Sequence, residues 1–186
     1  MNFKRINNIA GWLVCLIASG VYISTMEATG SLWDCGEFAS SAYKLQIPHS
    51  PGAPFFVLIG RLFMAPFDPQ HAATGINLMS ALASGFTILF LFWSITHFAK
   101  KIVAKQVAEP STQQTFSIIA AGVVGALAYT FSDTFWYSAV EGEVYALSSF
   151  LLLYFFGQCL NGNKVLPLKK HKALQAILPK PTDGLF

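Results

Sequence analysis

The sequence predicts an all-α membrane protein of about four transmembrane helices with a long outer first loop carrying interfacial helices. Three observations predict it. The 186 residues are 54% hydrophobic and 11% charged, with seventeen Phe, which does not fit an ordinary soluble domain. The charges avoid long stretches: residues 6–24, 115–132 and 144–162 hold none, and residues 70–99 hold only His71 and His97 as titratable groups. The basic residues also divide unevenly between alternate connections. A run of about 20 apolar residues crosses the hydrocarbon core, so spans are expected at about 6–25, 76–99, 115–132 and 144–161.

The first span follows Lys4 and Arg5. It is long for a signal-peptide core, and Met26-Glu27-Ala28 is a poor cleavage site, so a retained helix is expected. The first outer loop then runs from about residue 25 to residue 70, a length that usually means function. Within it, residues 31–44 can form a helix near the interface. Pro48, Pro51 and Pro54 stand within seven residues and interrupt any helix there. Residues 55–67 read as a short apolar helix carrying Arg61, too short to span alone. After the second span comes a polar, basic inner loop, about 100–114. The third span contains Gly122, Gly125 and Ala126, small residues that permit close helix contact. Residues 132–143 read as a short outer loop with Trp136 and Tyr137 at interface depth. The last span leads into a Lys- and Pro-rich tail. The expected division is therefore a transmembrane region, 1–163, and a basic cytoplasmic tail, 164–186.

Orientation follows from Lys and Arg. With the N-terminus cytoplasmic, ten of the twelve basic residues lie inside, and Lys44 and Arg61 lie outside. Seven of the nine acids lie outside. The net charge of +3 thus reflects topology and gives no reason to expect nucleic acid as a partner. The expected location is a bacterial inner membrane or the endoplasmic reticulum, with the outer loops periplasmic or luminal. Cys15 and Cys159 fall within spans and Cys35 stands in the outer loop, so no disulfide framework or Cys-x-x-Cys metal site is expected.

Carboxylates beside membrane spans are costly and mark candidate sites. Asp34 and Glu37 are three apart and would share a helix face. One can act as general base while the other positions an acceptor hydroxyl or binds a cation. Asp-x-x-Glu is also a capping-box pattern, with Asp34 as N-cap. Glu141 and Glu143 are two apart and would point to different faces of a helix. Glu143 also suits the positive end of a helix dipole. His49 lies in the Pro/Gly-rich turn, where it is either a fixed binding residue or a solvated one. Arg61 can bind an anionic group or serve as a snorkelling anchor. No metal-ligand spacing is present, although the acidic loop leaves room for a divalent cation.

In order, Trp33-Asp34-x-x-Glu37-Phe38, then Pro48-His49-Ser50-Pro51-Gly52-Ala53-Pro54, resemble the opening of the GT-C membrane glycosyltransferases. Adding Trp136-Tyr137-Ser138-Ala139-x-Glu141-x-Glu143-Val144-Tyr145 narrows the resemblance to domain-of-unknown-function family 2723, with its transmembrane protein 260-like O-mannosyltransferases. The resemblance covers about residues 5–160, and Ser50 replaces a commoner proline. It implies the N-terminal part of a GT-C-like bundle, a membrane-lipid environment, a polyprenyl-phosphate sugar donor, and a protein or glycan acceptor. It maps Asp34 to the catalytic base and Glu37 to acceptor positioning. It leaves Lys44 or Arg61 to help the leaving phosphate, with His49, Glu141, Glu143 and Tyr145 as substrate-binding candidates. GT-C enzymes have more spans, so the 186 residues alone are expected to be inactive. The rival readings are a transporter or channel subunit, which needs carboxylates at mid-membrane depth, and a scaffold without chemistry.

Overall fold

The computed structural model describes residues 2–31, 34–103 and 109–162. Trp33 of the first motif and the basic tail lie outside the described residues. Those described form seven α-helices and one 3-10 turn, with no strand among them. They are α1 (Phe3–Thr25), α2 (Cys35–Lys44), α3 (Pro54–Met64), the turn Pro69–His71, α4 (Ala72–Val103), α5 (Thr112–Thr130), α6 (Asp133–Val140) and α7 (Val144–Gly162).

Local chemistry sets several boundaries. The Asn2 side chain accepts from the Arg5 N–H at 3.2 Å and caps α1. A capping box opens α5: the Gln114 N–H donates to Ser111 Oγ, and the Ser111 N–H donates to Gln114 Oε1. Left-handed Leu45 ends α2. Pro54 occupies the first turn of α3, where its missing N–H costs nothing.

Two helices are long and apolar enough to cross a membrane: α1, and α4 with its preceding turn, Pro69–Val103. The pair α5 and α6 passes the same criterion only if it is counted together, across a 68° bend. α3 and the Val144–Leu160 part of α7 are shorter apolar helices. The expected outer loop at 132–143 thus contains a helix. Its buried Phe135, Ala139 and Val140 pack against the core, with Trp136 partly buried beside them and Tyr137 exposed. At the bend the buried Tyr22 hydroxyl donates to the Thr130 carbonyl at 2.8 Å, satisfying a group that the helix end releases.

α4 is the central helix. In its most apolar window 61% of residues are buried, against 28% in α1, so α4 is surrounded and α1 is peripheral. One core, on α1, α5 and α6, packs Val14, Ala18, Tyr22, Ala126 and Phe135 against Ile88 and Phe92 of α4. On the other side, Phe38, Phe56, Val57, Met64 and Leu147 pack against Ile76 and Met79. This second core fastens the α2–α3 loop onto α4 and α7. Gly122 shows how closely α5 approaches: a Cβ there would lie 2.5 Å from Thr96 Cγ2 and 2.8 Å from a Phe92 ring carbon. Close approach of this kind is what small residues contribute where helices associate by packing.

α1 and α5 run one way, α4 and α7 the other. Asn77 of α4 donates to the Glu27 and Thr29 carbonyls at one end. Lys100 Nζ sits 4.8 Å from the Phe3 ring centroid at the other. The bundle therefore has an acidic end, with Glu27, Asp34, Glu37, Glu141 and Glu143, and a basic end, with Lys4, Arg5, Lys100 and Lys101.

Candidate functional site

The acidic end is assembled from α2, the Pro-rich turn and the connection between α6 and α7. Asp34 occupies the N-cap position of α2, yet its side chain makes no capping hydrogen bond. Its backbone carbonyl accepts from the Phe38 N–H at 2.9 Å. The capping-box reading is therefore not realised, and the Asp34 carboxylate faces outward. Glu37, one turn on, does not reach back to the cap. Its Oε1 accepts the His49 backbone N–H at 2.6 Å, and its Oε2 lies 2.9 Å from His49 Nδ1. The other ring nitrogen, Nε2, lies 3.9 Å from Asp34 Oδ2. His49 thus bridges both carboxylates, although about half of its side chain is exposed.

The turn can reach α2 because its backbone curls back. Gly52 has a φ of 90° and Ala53 one of 34°, and the Gly52 N–H donates to the His49 carbonyl at 2.9 Å. Beneath the imidazole lies Phe38 at 5.8 Å between ring centroids, and Phe38 in turn packs edge-on to Phe56 of α3. The ion pair is therefore built on the second hydrophobic core.

Glu141 and Glu143 are brought together rather than separated. Both precede α7; Glu141 is extended, and the Glu143 N–H donates to the Glu141 carbonyl at 2.9 Å. Outside a helix, residues two apart can present to one side, and both carboxylates reach Cys35. The buried Cys35 Sγ lies 3.5 Å from Glu141 Oε2 and 3.4 Å from Glu143 Oε1. Between them, Gly142 rests on α4, where a Cβ would lie 2.8 Å from Ile76 Cγ2 and 3.0 Å from Asn77 Oδ1. This contact holds the two acids against the α2 start. Cys35 is the residue that the sequence did not single out. Its partners lie 106 and 108 positions away, so no local pattern marks it.

Hydrogen bonds from His49 hold the Glu37 carboxyl below its ordinary range. The reciprocal bond and charge of Glu37 raise the His49 imidazole above its ordinary value. Burial raises Glu143, with Asp34 and Glu141 adding like charge. Burial also pushes the Cys35 thiol up to about 12, so it is a neutral donor to its carboxylates. Beside this cluster a cleft of about 640 Å³ opens among Glu27, Ser31, Tyr137, Glu141, Glu143 and Tyr145. Glu27, Ser31 and Tyr137 are lining residues that sequence reasoning did not assign.

Arg61 is on α3 with its guanidinium 5.1 Å from the Tyr43 ring centroid, a cation–π contact. Lys44 is exposed in the last turn of α2. The cation that pairs with Asp34 and Glu37 among the described residues is His49. Ligand atoms of Asp34, Glu37 and His49 all lie within 4.8 Å of one another. Two carboxylates and an imidazole suit a divalent metal of the manganese-to-zinc kind, provided that His49 is neutral and turns a nitrogen to the ion.

A family model described as "Protein O-mannosyl-transferase TMEM260 N-terminal domain" matches residues 34–172. Curated relatives include "Protein O-mannosyl-transferase TMEM260" of Mus musculus, 27% identical over 138 residues. Another is "Protein O-mannosyl-transferase tmem260" of Dictyostelium discoideum, 23% identical over 146 residues. These matches cover 73% and 74% of this chain but 17% and 15% of the relatives, so the chain spans about a sixth of their length. No solved structure gives a significant match. The matched region begins at Asp34 and contains α2, the His49 turn, both acidic pairs and α7; the chain belongs to the TMEM260 N-terminal domain family of protein O-mannosyl-transferases.

Proposed function

We propose that this chain is the part of an integral-membrane glycosyltransferase that carries the catalytic loop, moving a mannosyl or related sugar from a polyprenyl-phosphate donor to a hydroxyl of an outer or luminal protein. The observation that carries this reading is the convergence of Asp34, Glu37 and His49 beside the cleft of Glu141, Glu143 and Tyr145, at the end of the bundle opposite Lys4, Lys100 and Lys101. The relatives' names supply the sugar and the class of acceptor.

In this reading α1, α4, the bent pair α5–α6 and α7 cross the membrane, with the N-terminus cytoplasmic by the positive-inside rule. α2 and α3 lie at the outer interface. Asp34, whose carboxylate is not committed to a helix cap, takes the proton of the acceptor hydroxyl as that oxygen attacks the anomeric carbon. The bond to the lipid phosphate breaks as the new glycosidic bond forms, so the anomeric configuration inverts. Glu37 positions the acceptor indirectly, by fixing the turn beside Asp34. Both its oxygens hold His49, and through it the Pro-rich turn. His49 sets the charge around Asp34 and stands where the sequence reading placed Lys44 or Arg61. Where a divalent cation binds, Asp34, Glu37 and His49 hold it, and it supplies charge neutralisation for the departing phosphate. Glu141, Glu143 and Tyr145 line the side of the cleft where sugar hydroxyls need acceptors.

The test is transfer of mannose from a polyprenyl-phosphate donor to an acceptor protein by a complete protein carrying this segment. Transfer that is lost on changing Asp34 to Asn supports the reading. A complete protein that binds neither donor nor acceptor overturns it.

A further inference from the structure

At the basic end, the space between α1 and α4 opens into a second cleft of about 580 Å³, unrelated to the acidic cluster. Lys4, Asn7 and Asn8 face it from α1, and Trp93, His97 and Lys100 face it from α4. The spacing is helical on both sides, so each helix presents one polar edge. We propose that this cleft holds the phosphate of an anionic glycerophospholipid.

The charge is one-sided. Lys4 and Lys100 line the cleft, Arg5 lines the adjoining shallow pocket, Lys101 lies over the Phe98 ring outside the lining, and no carboxylate is among the lining residues. Seven of the nine acids of the chain lie elsewhere, on the segments that form the other end; Asp183 belongs to the tail, and Glu109, in the connection between α4 and α5, is exposed and outside the cleft lining. A basic pocket between membrane helices is the usual recognition site for a lipid head group.

Two buried polar atoms at this cleft have no hydrogen-bond partner among the described residues: Asn7 Oδ1 and Trp93 Nε1. Unpaired buried polar atoms cost free energy; the phosphate and ester oxygens of a glycerophospholipid can accept from the Trp93 N–H, and a hydroxyl of its head group can donate to Asn7 Oδ1. Trp93 Nε1 faces the α1 backbone at Gly11, where a Cβ would lie 2.7 Å away; the lack of a side chain there keeps the indole nitrogen close to the cleft floor.

The cleft also continues into an apolar track. Trp12, half-exposed on its wall, stacks edge-on with Trp93 at 6.4 Å and Phe86 at 6.3 Å. Ile9, Leu13 and Leu16 are exposed along the same helix. Ammonium groups at the mouth, amides and indoles below them and an apolar strip beyond match the order of phosphate, glycerol backbone and acyl chain. Free phosphate would use the first of these layers and leave the others without a role.

The experiment is native mass spectrometry of the full chain in detergent with equimolar phosphatidylglycerol and phosphatidylcholine. Preferential retention of phosphatidylglycerol is expected. The double variant Lys4→Gln/Lys100→Gln is expected to reduce that retention about tenfold or more, since each basic residue contributes to anionic-lipid binding. The charge-matched control Arg5→Gln/Lys101→Gln, whose residues lie outside the cleft lining, is expected to change it much less. Lys4→Arg/Lys100→Arg is expected to bind as wild type, with helix content checked by circular dichroism throughout. Equal loss in the two Gln pairs would mean diffuse surface attraction and overturn the site. Displacement of the lipid by millimolar inorganic phosphate would make it a free-phosphate site and overturn the lipid assignment. Absence of any preference in the wild-type chain overturns the proposal without recourse to a variant.

Discussion

Glu37 grips His49 at two points: one carboxylate oxygen takes the backbone N–H at 2.6 Å, and the other lies 2.9 Å from the ring Nδ1. The contact joins the first turn of α2 to a turn twelve residues later. It lowers the pKa of the acid and raises that of the imidazole. The pair is therefore intact across a pH window bounded by the lowered carboxyl below and the raised imidazole above. His49 contributes stability that is fully present below its ordinary value of 6.5 and is lost as pH rises through its raised value. Glu37 contributes stability that is present above its ordinary value of 4.5 and is lost as pH falls through its lowered value. Protease cleavage in the 46–53 turn is expected to be slowest between those limits and to increase on either side. In Glu37→Gln the His49 resonance, followed by NMR, should titrate at lower pH than in the wild type. An unchanged His49 titration would mean that the contact is absent in solution.

Asp34→Asn in a complete enzyme is expected to cost about 10²–10⁴-fold in turnover, the usual consequence of losing a general base. Asn is as good an N-cap as Asp, so a capping role would make the change almost silent. Because the Asp34 side chain makes no capping bond, thermal stability should stay near wild type. Wild-type turnover at matched expression would remove Asp34 from the mechanism.

Cys35 is expected to resist iodoacetamide in the folded protein at pH 8. With the thiol pushed up to about 12, the thiolate fraction there is about 10⁻⁴, and the sulfur is buried. Glu143→Gln removes a carboxylate charge beside the thiol while keeping an amide oxygen that can accept from it, and should speed the reaction while leaving the fold intact. Rapid labelling of native wild-type protein would show that α2 and the α6–α7 connection are not in contact.

Gly122→Val should destabilise the bundle by about 1–3 kcal/mol, the usual cost of overpacking. The added atoms meet Thr96 and Phe92 on α4, both buried and unable to withdraw. Gly20, whose Cβ would meet nothing within 4 Å, is the matched control, and Gly20→Ala should be nearly neutral. Thermal melts in one detergent measure both.

Single cysteines at Gln46 and Gln113 test the topology. Both positions are exposed, one beside the acidic cluster and one in the first turn of α5. In a background lacking native cysteines, an impermeant thiol reagent applied to intact cells or sealed vesicles should reach Gln46→Cys from the outer face and spare Gln113→Cys. The reverse pattern would invert the proposed orientation.

Much of the bundle was legible because uncharged runs and helix signals are local. The runs at 6–24 and 70–99 correspond to the interiors of α1 and α4, and three prolines interrupt the chain between α2 and α3. α6 was not legible. Its eight residues carry Trp136 and Tyr137 beside Phe135, a composition that suits a loop at an interface equally well, and only packing of Phe135, Ala139 and Val140 against the core shows a helix there. The meeting of Glu141 with Glu143 was also hidden, since helix spacing puts them on different faces and only their position ahead of α7 turns both toward Cys35.

By itself, the sequence determined that the chain is helical and rich in membrane-length apolar runs, that its charges are segregated, and that Asp34, Glu37 and His49 are candidates. Hydrophobic run length, proline and charge asymmetry act within a few turns of chain and can be read without knowing what packs where. Tertiary structure decided which candidates meet. It gave Glu37 to His49 instead of to the helix cap, set Arg61 over Tyr43, and brought Cys35 between two acids more than a hundred residues away. Such pairings depend on how α2, α3 and α7 pack around α4, and no local pattern in the chain records that packing.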